Sequence, residues 1–149
     1  MRDRILTTVL AVSAAAAAMV TASPASAAGS VSIAEIYYNS PGSDTRSNTS
    51  LNAEWVRIKN TTSKPVSLKS WTLTDNTGYK YTFGTYTLAA GKTVKIHTGQ
   101  GRDTATDRYQ NRRAYVWNND KDKATLRTST AKVWDTCSYN NAARSSVAC

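Results

Sequence analysis

The chain of 149 residues has one phenylalanine, one histidine and two cysteines. A single histidine, His97, leaves no room for an H-E-x-x-H zinc motif, and no G-x-S-x-G or Walker sequence occurs either. Cys137 and Cys149 lack C-x-x-C spacing and have no histidine nearby, which argues against a redox or metal-binding pair. Acidic groups are few, 10 against 19 basic. Past residue 28 no apolar run is long enough to cross a membrane, no stretch keeps the i, i+3, i+4 spacing of an amphipathic helix, and no repeat or linker appears. These absences point away from enzymes, membrane proteins and helical bundles.

What is present is β-rich. Aromatics are weighted to tyrosine and tryptophan, eight and four, and threonine is abundant. The first segment has Arg2 and Arg4, an apolar stretch from Ile5 to Val20, and an A-x-A site at Ala25 and Ala27. This is the layout of a secretory signal peptide, with cleavage expected near Ala27-Ala28. The expected organisation is therefore a signal over residues 1–28 and one secreted domain over 29–149, with 17 basic against 9 acidic groups. That length supports one ordinary hydrophobic core. Outside the cell two thiols in a small domain pair, so a Cys137–Cys149 disulfide is expected, pinning the C-terminal tail to the preceding strand.

Short alternating runs fill the domain. In Glu54 to Asn60, Val56 and Ile58 share one face and Arg57 and Lys59 the other. Trp71 and Leu73 share a face, Asp75-Asn76-Thr77-Gly78 reads as a hairpin turn, and Tyr79, Tyr81 and Phe83 line the next face. Val94 and Ile96 point inward after a turn at Ala89–Lys92. Further strands are expected at Ser30–Tyr38, Ala114–Trp117, Ala124–Thr128 and Lys132–Ser138, with polar loops at Asn39–Asn52 and Gly99–Arg113. Period-two runs of this length, spaced by turns, predict an all-β antiparallel sandwich of about eight or nine strands.

Five motifs in order give a resemblance. Ile33-Ala34-Glu35-Ile36-Tyr37-Tyr38-Asn39 is similar to I-x-E-I-x-Y-N, and Glu54 to Asn60 to E-[FYW]-V-x-[IL]-x-N. Ser70-Trp71-Thr72-Leu73 is similar to G-W-x-[IL], with serine at the glycine. Tyr81 to Ile96 continues the pattern, and Trp117 to Leu126 is similar to W-N-N-x-G-D-x-A-x-L, with Lys121 near the glycine. Together they resemble a lamin tail domain over roughly residues 31–139. The resemblance implies an immunoglobulin-like β-sandwich and a non-catalytic module. Bacterial copies accompany secreted hydrolases, and lamin tails are associated with DNA and protein binding. No ligand-binding motif transfers residue by residue.

His97 alternates with Val94 and Ile96 and is expected on an outer strand face, with no local acid to orient it. Glu35 and Glu54 form a nominal carboxylate pair, but both fall in strand motifs and are expected to make structural hydrogen bonds. Asp120 and Asp122 form a D-x-D that suits calcium oxygens, yet Lys121 and Lys123 interleave, so a plain turn is expected. Two N-x-[ST] sequons start at Asn48 and Asn60. The remaining cluster is basic: Arg102, Arg108, Arg112 and Arg113 share the Gly99–Arg113 loop with Tyr109. Guanidinium groups suit phosphate and a tyrosine can stack. The expected function is a secreted, monomeric, cofactor-free module binding an extracellular polyanion, DNA or an anionic wall polymer. The alternative is a protein-interaction or adhesion module partnering a secreted hydrolase.

Overall fold

Residues 29–149 are described by a computed structural model, and the expected signal segment lies outside them. The chain runs β1 (Val31–Tyr37), α1 (Asn48–Asn52), β2 (Trp55–Asn60), β3 (Val66–Ser67), β4 (Thr72–Thr74) and β5 (Lys80–Thr82). It continues through β6 (Thr87–Leu88), β7 (Thr93–His97), β8 (Asp107–Tyr109), β9 (Lys121–Arg127), β10 (Val133–Asn140) and β11 (Ser146–Ala148). Strands β11-β1-β2-β7-β8 form one sheet, β10-β9-β4-β5 a second, and β3 and β6 a small ribbon. The architecture is the expected immunoglobulin-like β-sandwich.

Alternation decides which side chains meet between the sheets. Val56, Ile58, Val94 and Ile96 are fully buried from β2 and β7, and Leu73, Ala124 and Leu126 face them from β4 and β9. In β1 the inward residues Ile33 and Ile36 break the even spacing because a bulge between Ile33 and Glu35 adds one residue. Trp71 belongs to this core, 9% exposed. The Asp75–Gly78 turn forms as expected between β4 and β5: the Asp75 carboxylate accepts from the backbone N–H of Thr77, Gly78 and Tyr79, and Gly78 takes φ 108°.

Several expectations are corrected. The Asn39–Asn52 loop ends in a helical turn, α1, capped by Ser47, whose side chain accepts from Ser50 N. The Gly99–Arg113 segment is not strand-free: β8 adds in parallel to β7, so the sheet is not purely antiparallel. Ala114–Trp117 is not a strand, because a side chain supplies the acceptors that a neighbouring strand would. Tyr79 lies in the turn and is exposed rather than sharing the face of Phe83.

The disulfide between Cys137 and Cys149 is present, with Cα atoms 5.9 Å apart. It does more than pin a tail to the preceding strand. Strand β11 pairs with β1, and Cys149 N donates to Ala34 O, so the bridge joins the edge strands of opposite sheets. Closing a loop of this size contributes on the order of 3 kcal/mol in the chain-entropy picture.

Ser70 stands at the glycine position of the motif and adopts φ 64°, a conformation glycine takes without strain. Lys121, at the other replaced glycine, is not left-handed; it starts β9, where the extended backbone does not call for glycine.

Candidate functional site

The carboxylates that sequence spacing offers for chemistry are spent on structure. Glu54 is completely buried, and its Oε1 accepts from the backbone N–H groups of Val116 (3.0 Å) and Trp117. Burial pushes its carboxyl up to about 8, against the pull of those two amides. Glu35 pairs instead with Arg57 on the outer side of the first sheet. The two glutamates therefore belong to different environments and form no acid–base pair. Asp122 accepts from Asn76 N, Asn118 N and Lys123 N, and Asp120 from Lys121 N. Among the described residues no three acidic, histidine or cysteine side chains gather to hold a metal ion.

His97 does face outward, but it is not free. Its Nδ1 contacts Asn52 O and its Nε2 contacts Asp107 Oδ1, both at 2.8 Å. The orienting acid missing from its local sequence arrives from β8, ten residues on. Both ring nitrogens thus face protein oxygens, which fixes the ring between the end of α1 and β8. The Asp107 carboxyl lies below its usual range, first because the Thr106 hydroxyl donates to it and then because of His97.

The five residues expected to bind phosphate divide into three groups. Arg108 pairs with Asp103 at 3.1 Å and lies over the Tyr86 ring, 4.2 Å from its centroid. Tyr109 stacks on His97 with centroids 5.0 Å apart, and Gly101 packs so closely against its ring that a Cβ there would collide. Gly101 thus serves close packing rather than loop freedom. Arg102 is exposed and in no ion pair among the described residues. Arg112 and Arg113 instead line a cleft of about 250 Å³ with Arg46, Asn48, Leu51 and Gln100.

Two loops distant in sequence build that cleft. Asn48 Nδ2 and Asn52 Nδ2 both donate to Gln100 O, and Gln100 N donates to Asn48 Oδ1. Arg46, held at φ 56°, is the cleft residue that sequence reading missed, since it sits 66 positions from Arg112. Arg112 donates to Lys80 O at 3.1 Å and its guanidinium lies 5.0 Å from the centre of the Tyr79 ring. Among the described residues none of these three arginines is in an ion pair. The sequon residues are occupied too: Asn48 as above, and buried Asn60 donating to Lys64 O and Leu88 O.

A family model for the lamin tail domain matches residues 24–141. The chain belongs to the lamin tail domain family. No curated protein matches it. The family is an immunoglobulin-like one, in keeping with the two sheets.

On this lamin tail domain the outward faces of the two sheets differ in kind. Across the five-stranded sheet, register aligns Tyr37, Trp55, His97 and Tyr109 in one row and Glu35, Arg57, Lys95 and Asp107 in the next. These groups satisfy one another: Tyr37 stacks on Trp55 at 5.5 Å, and Lys95 Nζ lies 4.1 Å from the Trp55 ring centre. Across the four-stranded sheet the outward rows are Ser138 beside Lys123, Asn140 beside Lys121, and Thr136, Thr125, Thr74 and Lys80 together. The last row is Val133, Arg127, Thr72 and Thr82. No aromatic ring and no carboxylate occupies these positions. Among the described residues none of the four cations is ion-paired, and Arg127 donates to Thr74 Oγ1 at 2.9 Å.

Proposed function

We propose that this protein is a secreted, non-catalytic polyanion-binding module, and that phosphate groups of extracellular DNA or an anionic wall polymer enter the cleft between the α1 loop and the segment after β7. The observation that carries the reading is the convergence of Arg46, Arg112 and Arg113 on one cleft with no carboxylate paired to them. Guanidinium groups favour phosphate through charge-assisted, bidentate hydrogen bonds. The excess of 17 basic over 9 acidic groups in residues 29–149 supplies a field that draws anions from a distance. Arg102 adds to that field from outside the cleft. Arg108 and Tyr109 support the loop, since a carboxylate already neutralises the first and the ring of the second is stacked on His97. The disulfide accords with export to an oxidising compartment.

Binding of a short labelled DNA duplex at 50 and 200 mM salt tests the reading. Three phosphate contacts give a slope of log affinity on log salt of about −2.7. Arg112→Gln with Arg113→Gln reduces the magnitude of that slope by roughly 2 while leaving the thermal midpoint in place. Salt-insensitive binding, or none at low salt, overturns it.

One observation favours the alternative, a protein-interaction module. Val133 and Trp134 are 51% and 45% exposed on β10, an edge strand of the second sheet. A partner seated on that edge would bind independently of salt, and Trp134→Ser would weaken it.

A further inference from the structure

We propose that the outward face of the four-stranded sheet is a second binding surface, and that it takes a linear phosphodiester polymer without bases, a polyol-phosphate chain. The inference rests on the polyanion reading above but uses none of the cleft residues.

The face is selected by what its register assembles. Lys121, Lys123 and Arg127 project on the same side of one strand, β9, because they are even-numbered steps apart. Strand geometry spaces the first two about 7 Å apart and spreads the three over roughly 20 Å. Lys80 stands two strands away on β5, about 10 Å to the side. Between and beside the cations lie hydroxyls, with Thr72 and Thr74 on β4 and Thr136 and Ser138 on β10. The acidic side chains nearest in sequence do not neutralise this array. Asp75 and Asp122 are buried and accept from backbone N–H groups. Asp120 is exposed and lines the same cleft as Lys121 and Lys123, but it accepts from Lys121 N and is in no ion pair among the described residues, so one free carboxylate stands against four cations.

That chemistry discriminates among anionic polymers. Single-stranded nucleic acid gains its non-specific affinity from bases stacked on aromatic side chains. The exposed rings nearest this face are engaged by the protein, Trp134 edge-on against Trp71 with its Nε1 donating to Val31 O and Tyr79 against Arg112. A duplex is a stiff cylinder, so a flat sheet meets it along a narrow strip. A neutral glycan leaves four unpaired cations without use. A flexible phosphodiester chain can follow β9, placing phosphates against Lys121, Lys123 and Arg127 while its free hydroxyls meet threonine and serine. The face is also continuous with the cleft through β5, where Arg112 reaches the Lys80 carbonyl.

The test uses the full exported chain and fluorescence anisotropy with labelled poly(glycerol phosphate), a DNA duplex and dextran sulfate of similar charge, each at 50 and 200 mM salt. Four contacts on this face contribute about −2.8 to the wild-type slope with poly(glycerol phosphate). Lys121→Gln with Lys123→Gln is expected to lower its affinity about tenfold at low salt and to reduce the magnitude of the slope by about 1.4, with the thermal midpoint and duplex binding unchanged. The Arg112→Gln, Arg113→Gln variant is expected to lose the cleft's share of poly(glycerol phosphate) binding and to keep the share that Lys121→Gln with Lys123→Gln removes. The proposal is overturned if the lysine variant binds poly(glycerol phosphate) like wild type, or if duplex or dextran sulfate loses as much as the polyol phosphate does. Loss in the arginine variant alone assigns all binding to the cleft, sinking this inference and sparing the reading above. Failure of both variants to weaken any probe removes both.

Discussion

The two outward sheet faces carry similar numbers of charged side chains and opposite prospects. On the five-stranded face most charges are engaged, Glu35 with Arg57, Asp107 with the His97 ring and Lys95 over Trp55, while exposed Lys59, in the row beyond, is in no ion pair among the described residues. On the four-stranded face Lys80, Lys121, Lys123 and Arg127 are in no ion pair among the described residues. Cross-strand pairing turns aromatic and charged residues into sheet stabilisers, while unpaired cations keep their attraction for an outside anion. An aromatic ladder is thus a weaker sign of binding than a bare row of lysines, because rings that stack on one another offer a ligand mostly their edges.

Both faces depend on one shared core, so the largest expected effect lies beneath them. Trp71→Ala should cost about 3–5 kcal/mol, read from denaturant or thermal unfolding. An unchanged midpoint with lost binding would move Trp71 from the core to a ligand site and dissolve the comparison.

Next comes Glu54, which holds the segment leading from the cleft to β9. Its folded carboxyl titrates near 8, above the ordinary 4.5 of the unfolded chain. Below pH 4.5 both states are protonated and the group favours neither. Between 4.5 and 8 unfolding releases a proton, so stability falls as pH rises through that window and levels off above it. Glu54→Gln keeps an acceptor for Val116 N and Trp117 N and should flatten this dependence, checked by unfolding midpoints from pH 4 to 9. A dependence that survives in Glu54→Gln would place the responsible group elsewhere.

Trp55→Ala sharpens the contrast directly. Losing the Tyr37 stack and the Lys95 contact should cost about 1–2 kcal/mol while polyanion binding stays as it was. Loss of binding without loss of stability would make the ladder a ligand platform. The smallest effect is at Ser70, whose left-handed backbone should make Ser70→Gly more stable by about 0.5 kcal/mol, with both faces unaltered. A lower midpoint would mean that the serine side chain compensates its own backbone.

Much of this was legible from local pattern. Alternation at Val56 and Ile58 and at Val94 and Ile96 placed the inward faces, and Asp75 to Gly78 placed a turn, because side-chain direction in a strand repeats every two residues. The Ala114–Trp117 segment misled for the same reason: its apolar residues are buried, but its amides bond to Glu54 rather than to a strand. The basic loop was visible as composition, yet Arg108 and Tyr109 proved engaged, and Arg46 lay in a loop with no signal of its own.

The sequence by itself determined the sandwich class, the family, the cysteine pair and which side of most strands faces the core, since each follows from spacing within a few residues or from motif order. Only the tertiary structure decided which outward residues are neighbours. Register set Trp55 beside Tyr37, gave His97 its acid from β8, joined Arg46 to Arg112 and Arg113, and left the β9 lysines unpaired. Pairing across strands joins positions tens of residues apart, and whether a charge meets its opposite there depends on distances that no local period encodes.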